Sequence, residues 1–316
     1  MPFVLEPSWV GRRVSVRRVL DRGPDGRLAF GDVVGDLIGL DAQTAVIESR
    51  NGLVEVPVGL VAIARLVPAS TAAELALEAV AARGLRAADT QELGGWLMRA
   101  DHGFTRRANS VLPSKAPGMP LDEALGRAHE WYAERGLPVR LHVPVEARRL
   151  LDAELGERGW APDHETHVMV ARLDRLRTDG PDEPPLELTD RPDEDWLRTY
   201  RGGAGVTEAG RALLARHDRV VFASLRLDGR VVGVGRGALD AGWLGIMAVE
   251  VEPDYRRQGL AAGVMAGLAA WGAAHGATRS YLQVGVDNSA VALYEKLGYW
   301  VHHDYRYRSA PGAEGR

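Results

Sequence analysis

No cysteine occurs among the 316 residues. Disulfides, thiolate metal sites and a cysteine nucleophile are therefore excluded. Long apolar runs are missing as well: no stretch approaches the ~18 residues that a membrane-spanning helix needs. The opening Met1-Pro2-Phe3-Val4-Leu5-Glu6 has no basic region ahead of an apolar one, so no secretory leader is expected. Charge of one sign is also scarce. Lys and Arg total 39 against 43 Asp and Glu, and the net charge of −4 gives no reason to expect a nucleic-acid or polyanion partner. What remains is an ordinary globular balance, 46% hydrophobic and 26% charged. The expectation is a soluble cytoplasmic protein without membrane contact, long enough for two or three domains.

The first stretch, residues 9–67, consists of short strand-like runs broken by turn signals. Asp25-Gly26 and Asn51-Gly52 are hairpin turns, because both supply residues that tolerate positive φ. Closely spaced short strands predict a small SH3-like β-barrel over residues 1–68. Arg12, Arg13, Arg17 and Arg18 could meet a peptide or nucleic acid. The nearby Asp21, Asp25, Asp32 and Asp36 offset them, which favours a structural or docking module.

A second unit is expected over 70–175, opening with a helix at 71–83. Trp96 to Ala100 reads as a strand and a proline-bearing loop follows. Then come a helix at 121–135, a strand at 139–143, a helix at 145–158 and a strand at 166–170. This order returns in a third unit, residues 186–310. Trp131 to Gly136 has the spacing of Trp271 to Gly276, and Gly159-Trp160 parallels Gly298-Tyr299. The pattern is that of a tandem duplication. Residues 178–185, rich in Pro, Asp and Glu, form the linker.

The richest segment lies in the third unit. An apolar run from Trp243 to Val251 predicts a strand that Pro253 ends. Arg256 and Arg257 follow, then Gly259, and an alanine-rich helix is expected over 260–274. The first amides of a helix lack intrahelical partners and carry the positive end of its dipole, so this turn is built like an anion cradle. Gly233-Val234-Gly235-Arg236-Gly237 looks like a nucleotide loop, but no helix follows it to receive a phosphate. It reads as strand running into a hairpin turn. His302 and His303 are adjacent on a strand and expected on opposite faces, which argues against a metal site.

Arg256-x-x-Gly259-x-Ala261, the Asn288 loop and Ala292-Leu293-Tyr294-Glu295-Lys296-Leu297-Gly298-Tyr299 stand in one order. In these three motifs the sequence resembles the GNAT superfamily of acyl-CoA-dependent N-acyltransferases, over roughly residues 186–308. The small barrel ahead of tandem units further resembles a group of actinobacterial acetyltransferases. The resemblance implies an α/β (α+β) fold with a mixed sheet in tandem copies. The first copy would be degenerate, because Ser114-Lys115-Ala116-Pro117-Gly118-Met119-Pro120 stands in place of the cofactor turn.

The same resemblance implies acetyl-CoA as co-substrate, no metal, and transfer to a primary amine by direct attack on the thioester. The amine, of a small molecule or a protein, is left open. Val249, Glu250 and Val251 would border the pantetheine arm. Arg256, Arg257, Gln258, Gly259, Leu260 and Ala261 would enclose the pyrophosphate. Asn288 would bond the arm or the following helix, and Tyr294 would be the general acid. Two departures stand out. Asn288 precedes Tyr294 by six residues where relatives have seven, and Gly245 stands where many relatives carry a glutamate base. Asp240, Glu250 and Glu252 are the acids nearby, and each reads as a surface acid. Deprotonation through ordered water, or by a group of the first copy such as His102 or His142, is an equal alternative, although a lone histidine more often serves a structural hydrogen bond. The missing glutamate leaves a rival reading, a non-catalytic acyl-CoA-binding or scaffold protein.

Overall fold

The computed structural model describes residues 5–22, 27–176, 186–203 and 205–312. The expected Asp25-Gly26 turn and the 178–185 linker lie outside these, as do residues 313–316. The chain divides into two compact units, Met1–Ala69 and Ser70–Arg316.

The first unit is a five-stranded antiparallel sheet: β1 (Arg13–Arg22), β2 (Leu28–Leu40), β3 (Thr44–Ser49), β4 (Gly52–Pro57) and β5 (Val61–Leu66). Its order is β4-β3-β2-β1-β5, and among the described residues no ladder joins β4 to β5. Val14, Val16, Leu37, Ala45, Ile47, Val56 and Ala64 are buried on one face. The tight turn between β3 and β4 rests on Gly52 at φ 107°.

The second unit begins with α1 (Thr71–Gly84), whose N-cap Ser70 accepts a hydrogen bond from Ala73 N–H. Next come β6 (Asp89–Leu93), β7 (Trp96–Ala100), β8 (Leu112–Pro113), α2 (Leu121–Ala133), β9 (Arg140–Pro144), α3 (Arg149–Glu157) and β10 (Ala161–Arg172). The remainder is β11 (Leu186–Thr189), α4 (Glu194–Thr199), α5 (Glu208–Ala215), β12 (Val220–Leu227), β13 (Arg230–Asp240), β14 (Trp243–Val251), α6 (Leu260–Ala274), β15 (Arg279–Gly285), α7 (Val291–Leu297) and β16 (Trp300–Ser309). The predicted 145–158 helix is shorter than expected, because residues 145–148 form turns before α3.

Strand order is the informative feature. One eight-stranded sheet runs β11-β12-β13-β14-β15-β10-β16-β9. Strand β10 lies antiparallel between β15 and β16, although more than a hundred residues separate it from either. Strand β16 in turn bridges β10 and β9. A parallel bridge between Val111 and Leu141 links this sheet to the three-stranded β6-β7-β8 sheet. The two halves of the unit therefore share one sheet.

The glycines of β13 serve helix packing. A Cβ at Gly235 would sit 2.6 Å from Val264 Cγ1, and one at Gly237 3.4 Å from Leu268 Cδ2. Their absence lets α6 lie close on the sheet, where Val264, Met265 and Leu268 join the main core. Between the glycines, Arg236 is fully buried and donates to the carbonyls of Leu214 and Gly84 at 2.7 and 3.1 Å. Burial pushes its guanidinium down to about 10. It ties α1, α5 and β13 together. No helix among the described residues is long and apolar enough to cross a membrane.

Candidate active site

The site starts from a defect in β14. Its parallel ladder with β15 runs from Trp243↔Arg279 to Ile246↔Leu282 and stops. On the other side the register to β13 shifts between Val234 and Arg236, and Ala248 lies in the left-handed region at φ 56°. This is a β-bulge, which bends the strand and re-aims side chains. An alanine there is strained, a state that persists only when the surroundings hold it. The strand edge beyond Ile246 thus parts from β15.

A cleft of ≈ 650 Å³ opens at the parting. Ile246, Met247, Ala248, Val249 and Glu250 form one wall, and Leu282 to Gly285 with Asn288 and Tyr294 face them. The remaining wall comes from the unit's first half: Gly103 to Arg107, Asn109, Arg140, His164 and Thr166, with Tyr305 and Tyr307 of β16 beside them.

Glu250 is not the exposed acid that strand alternation suggests. With the bulge in place, Val249 and Glu250 both reach the cleft. The Glu250 carboxylate is half-buried and accepts from Arg201 N–H at 2.7 Å. Burial pushes its carboxyl up, while that hydrogen bond and the charges of Arg201 and Arg256 pull it down less strongly. The other nearby acids are engaged, Asp240 with Arg83 at 2.8 Å and Glu252 with Arg230 at 2.7 Å. At Gly245 a Cβ would overlap Tyr281 Oη. No carboxylate fits there, because a tyrosine fills its space.

Tyr294 stands on α7, and burial raises its phenol above the ordinary value, so it carries its proton at neutral pH. Asn288 builds the start of that helix: its Oδ1 accepts from Ala290 N–H at 2.9 Å and its carbonyl from Val291 N–H at 3.1 Å.

The remaining predicted residues lie outside the cleft lining: Val251 ends β14, Arg256 to Gly259 belong to the turn that follows, and Leu260 and Ala261 open α6. Arg256 donates to Val251 O at 3.0 Å, which holds the turn against the strand. Arg257 and Gly259 adopt φ of 61° and 83°. Backbone bonding pauses after Arg256 N–H to Pro253 O and resumes with Ala262 N–H to Gly259 O. Among the described residues, the amides of 257–261 thus lack backbone acceptors, and a Cβ at Gly259 would meet nothing within 4 Å. An open row of amides at the head of a 15-residue helix suits a pyrophosphate.

One histidine expectation changes. His302 and His303 do not diverge: their Nδ1 atoms lie 2.7 Å apart, because the β10–β16 register skips from His303 to Val301 and leaves His302 as the extra residue. His142 is buried, with Nε2 3.0 Å from Glu78, whose other oxygen lies 2.9 Å from His303 Nε2. Burial alone would raise Glu78, but the two imidazoles hold its carboxyl well below the usual carboxylate range. Burial, with the charges of Arg99 and Arg107, lowers His142 against the pull of Glu78.

Sequence reasoning missed Arg140, Tyr305 and Tyr307 as cleft residues. Only the shared sheet brings them there, and no local signal announces it.

A family model described as "Probable histone acetyltransferase Rv0428c C-terminal" matches residues 71–308. The chain is 33% identical to the "Probable histone acetyltransferase Rv0428c" of Mycobacterium tuberculosis, over 96% of this chain and 97% of that protein. It is 27% identical to the "Uncharacterized N-acetyltransferase YobR" of Bacillus subtilis, over 73% and 96% respectively. Among solved structures, a GCN5-related N-acetyltransferase from Kribbella flavida superposes with a TM-score of 0.59 at 19% identity, covering 75% of this chain and 95% of that one. By sequence, the chain belongs to the Rv0428c C-terminal family and is a GNAT N-acetyltransferase.

Proposed function

We propose that the chain moves the acetyl group of acetyl-CoA to a primary amine in the cleft between β14 and β15. The observation that carries this reading is the parting of those strands after Ile246, with a turn of free amides at the end of β14. When bound, acetyl-CoA supplies a thioester whose acyl carbon the amine attacks directly. The amides of 257–261 and the arginines 256 and 257 hold the diphosphate, and the backbone of Val249 and Val251 borders the arm. Backbone N–H groups on this freed edge also stabilise negative charge on the carbonyl oxygen. Glu250 receives the proton of the incoming ammonium, and Tyr294 supplies one to the departing sulfur.

Residues 70–175 and 186–310 are read as two copies of one unit, each lending a strand, β10 or β16, to the shared sheet. The first copy binds no cofactor and walls the acceptor side. The N-terminal sheet, whose β5 returns to pair with β1, is read as an SH3-like docking module.

The test is thiol release from acetyl-CoA in the presence of amines. The protein adds no thiol of its own. Amine-dependent release that Tyr294→Phe abolishes while acetyl-CoA still binds supports the reading. Release that ignores both amine and Tyr294 overturns it.

A further inference from the structure

Four arginines, 106, 107, 140 and 201, line the cleft, against one carboxylate, Glu250. Three of the four have a partner within the protein, though the pair made by Arg106 is solvent-exposed and leaves it charge to offer a ligand. Arg107 is half-buried beside Tyr305 and Tyr307 and donates to Gln283 O at 3.5 Å. The guanidinium of Arg201 lies over the Phe104 ring, 4.4 Å from its centroid. Arg106 has Nε 3.3 Å from Asp163.

Arg140 differs. Its Nε is buried and has no hydrogen-bond partner among the described residues. Burial and the neighbouring Arg106 both act against its charge, and Asp163 opposes them only in part. A guanidinium does not shed its proton in a protein. A half-buried, incompletely bonded cation next to a second one is costly, and an anion with two oxygens relieves that cost by matching the guanidinium fork. The diphosphate of the donor does not serve here, since its cradle at 257–261 is outside the cleft lining.

We infer that the acceptor is a small amine that carries an oxyanion, a carboxylate or a phosphate, with the oxyanion held by Arg140 and Arg106 and the ammonium turned toward Glu250. This rests on the acetyl-transfer reading. The balance closes on two nitrogen protons: the ammonium gives one to Glu250 before its nitrogen bonds to the acetyl carbon, the carbon–sulfur bond breaks as Tyr294 protonates the sulfur, and the second proton, lost as the amide forms, returns to Tyr294. A lysine-rich peptide fits poorly, because its flanking cations would face four guanidinium groups.

The experiment uses the full chain and the thiol-release assay. Acceptors are matched pairs: each standard α-amino acid with its decarboxylated amine, phosphoethanolamine with ethanolamine, and glucosamine 6-phosphate with glucosamine. Spermidine and a lysine-rich histone H3 N-terminal peptide complete the panel. Within at least one pair the anionic member should have kcat/KM higher by roughly 10- to 100-fold, the range of a charge-assisted hydrogen bond. The amino-acid and phosphate pairs separate carboxylate from phosphate. Arg140→Gln should erase that preference, chiefly through KM, and leave acetyl-CoA affinity intact. Arg106→Gln, at a more exposed position, should weaken it in the same direction and serves if the first variant does not fold.

Equal or better turnover of neutral or polycationic amines overturns the inference. So does an undiminished preference in both variants, or no turnover of any anionic amine while acetyl-CoA binds. Failure of acetyl-CoA to bind overturns the acetyl-transfer reading instead.

Discussion

Replacing Glu250 by Gln removes the one carboxylate of the cleft wall and keeps its shape. The new amide oxygen can still accept from Arg201 N–H, now 2.7 Å from Glu250 Oε2. Because burial outweighs that hydrogen bond and the nearby arginines, the charge is net unfavourable in the fold, so neutralising it should not lower Tm at neutral pH. The loss of a general base, by contrast, costs ~10²- to 10⁴-fold in rate or about 3–5 kcal/mol in barrier. Activity should therefore collapse while the fold survives.

The pH profile adds a second readout. Burial raises the Glu250 carboxyl, and the base must be ionised to act, so wild-type kcat/KM falls as pH drops through that raised value. The variant should lose this acid limb. The assay is initial rate of thiol release from pH 5 to 9, beside thermal melts. A variant within about threefold of wild type, or one that keeps the acid limb, would refute the role of Glu250.

Tyr294→Phe should lower kcat by ~10²-fold or more and leave acetyl-CoA affinity unchanged; a normal kcat would make Tyr294 a packing residue. Gly245→Ala would force its methyl onto Tyr281 Oη and should cost about 1–3 kcal/mol, with Tyr281→Phe recovering part of it. Melts of the single and double variants decide this, and an unchanged Tm for Gly245→Ala refutes it. Burial, then the charge of His303, lowers His302 to about 4. The unfolded chain thus binds more protons between about 4 and the ordinary value of about 6.5. Tm should fall as pH drops through that window, and His302→Phe should flatten the fall; an identical pH dependence would count against it.

The legible part of the molecule was local. Trp243–Val251 and Leu260–Ala274 could be bounded in sequence because Pro253 and Gly259 punctuate them. The β13 glycines were separable from a nucleotide loop because no helix follows. What was not legible is long-range or strained. Strand β10 sits between β15 and β16 through pairings that no periodicity encodes, and Arg140 and Tyr305 reach the cleft only as a result. Ala248 in the left-handed region carries no sequence signal, since alanine rarely goes there. Without that bulge, alternation turns Glu250 away from Val249, which is why it reads as a surface acid.

The most direct test of the account is calorimetric titration of acetyl-CoA into wild type and Gly259→Glu. A glutamate at φ 83° would put negative charge among the amides of 257–261 without displacing any packed neighbour. Saturable binding to wild type that disappears in a variant still folded by its melt is the predicted result. Equal affinity in both proteins, or no binding to wild type, would contradict the assignment of this turn and of the cleft beside it.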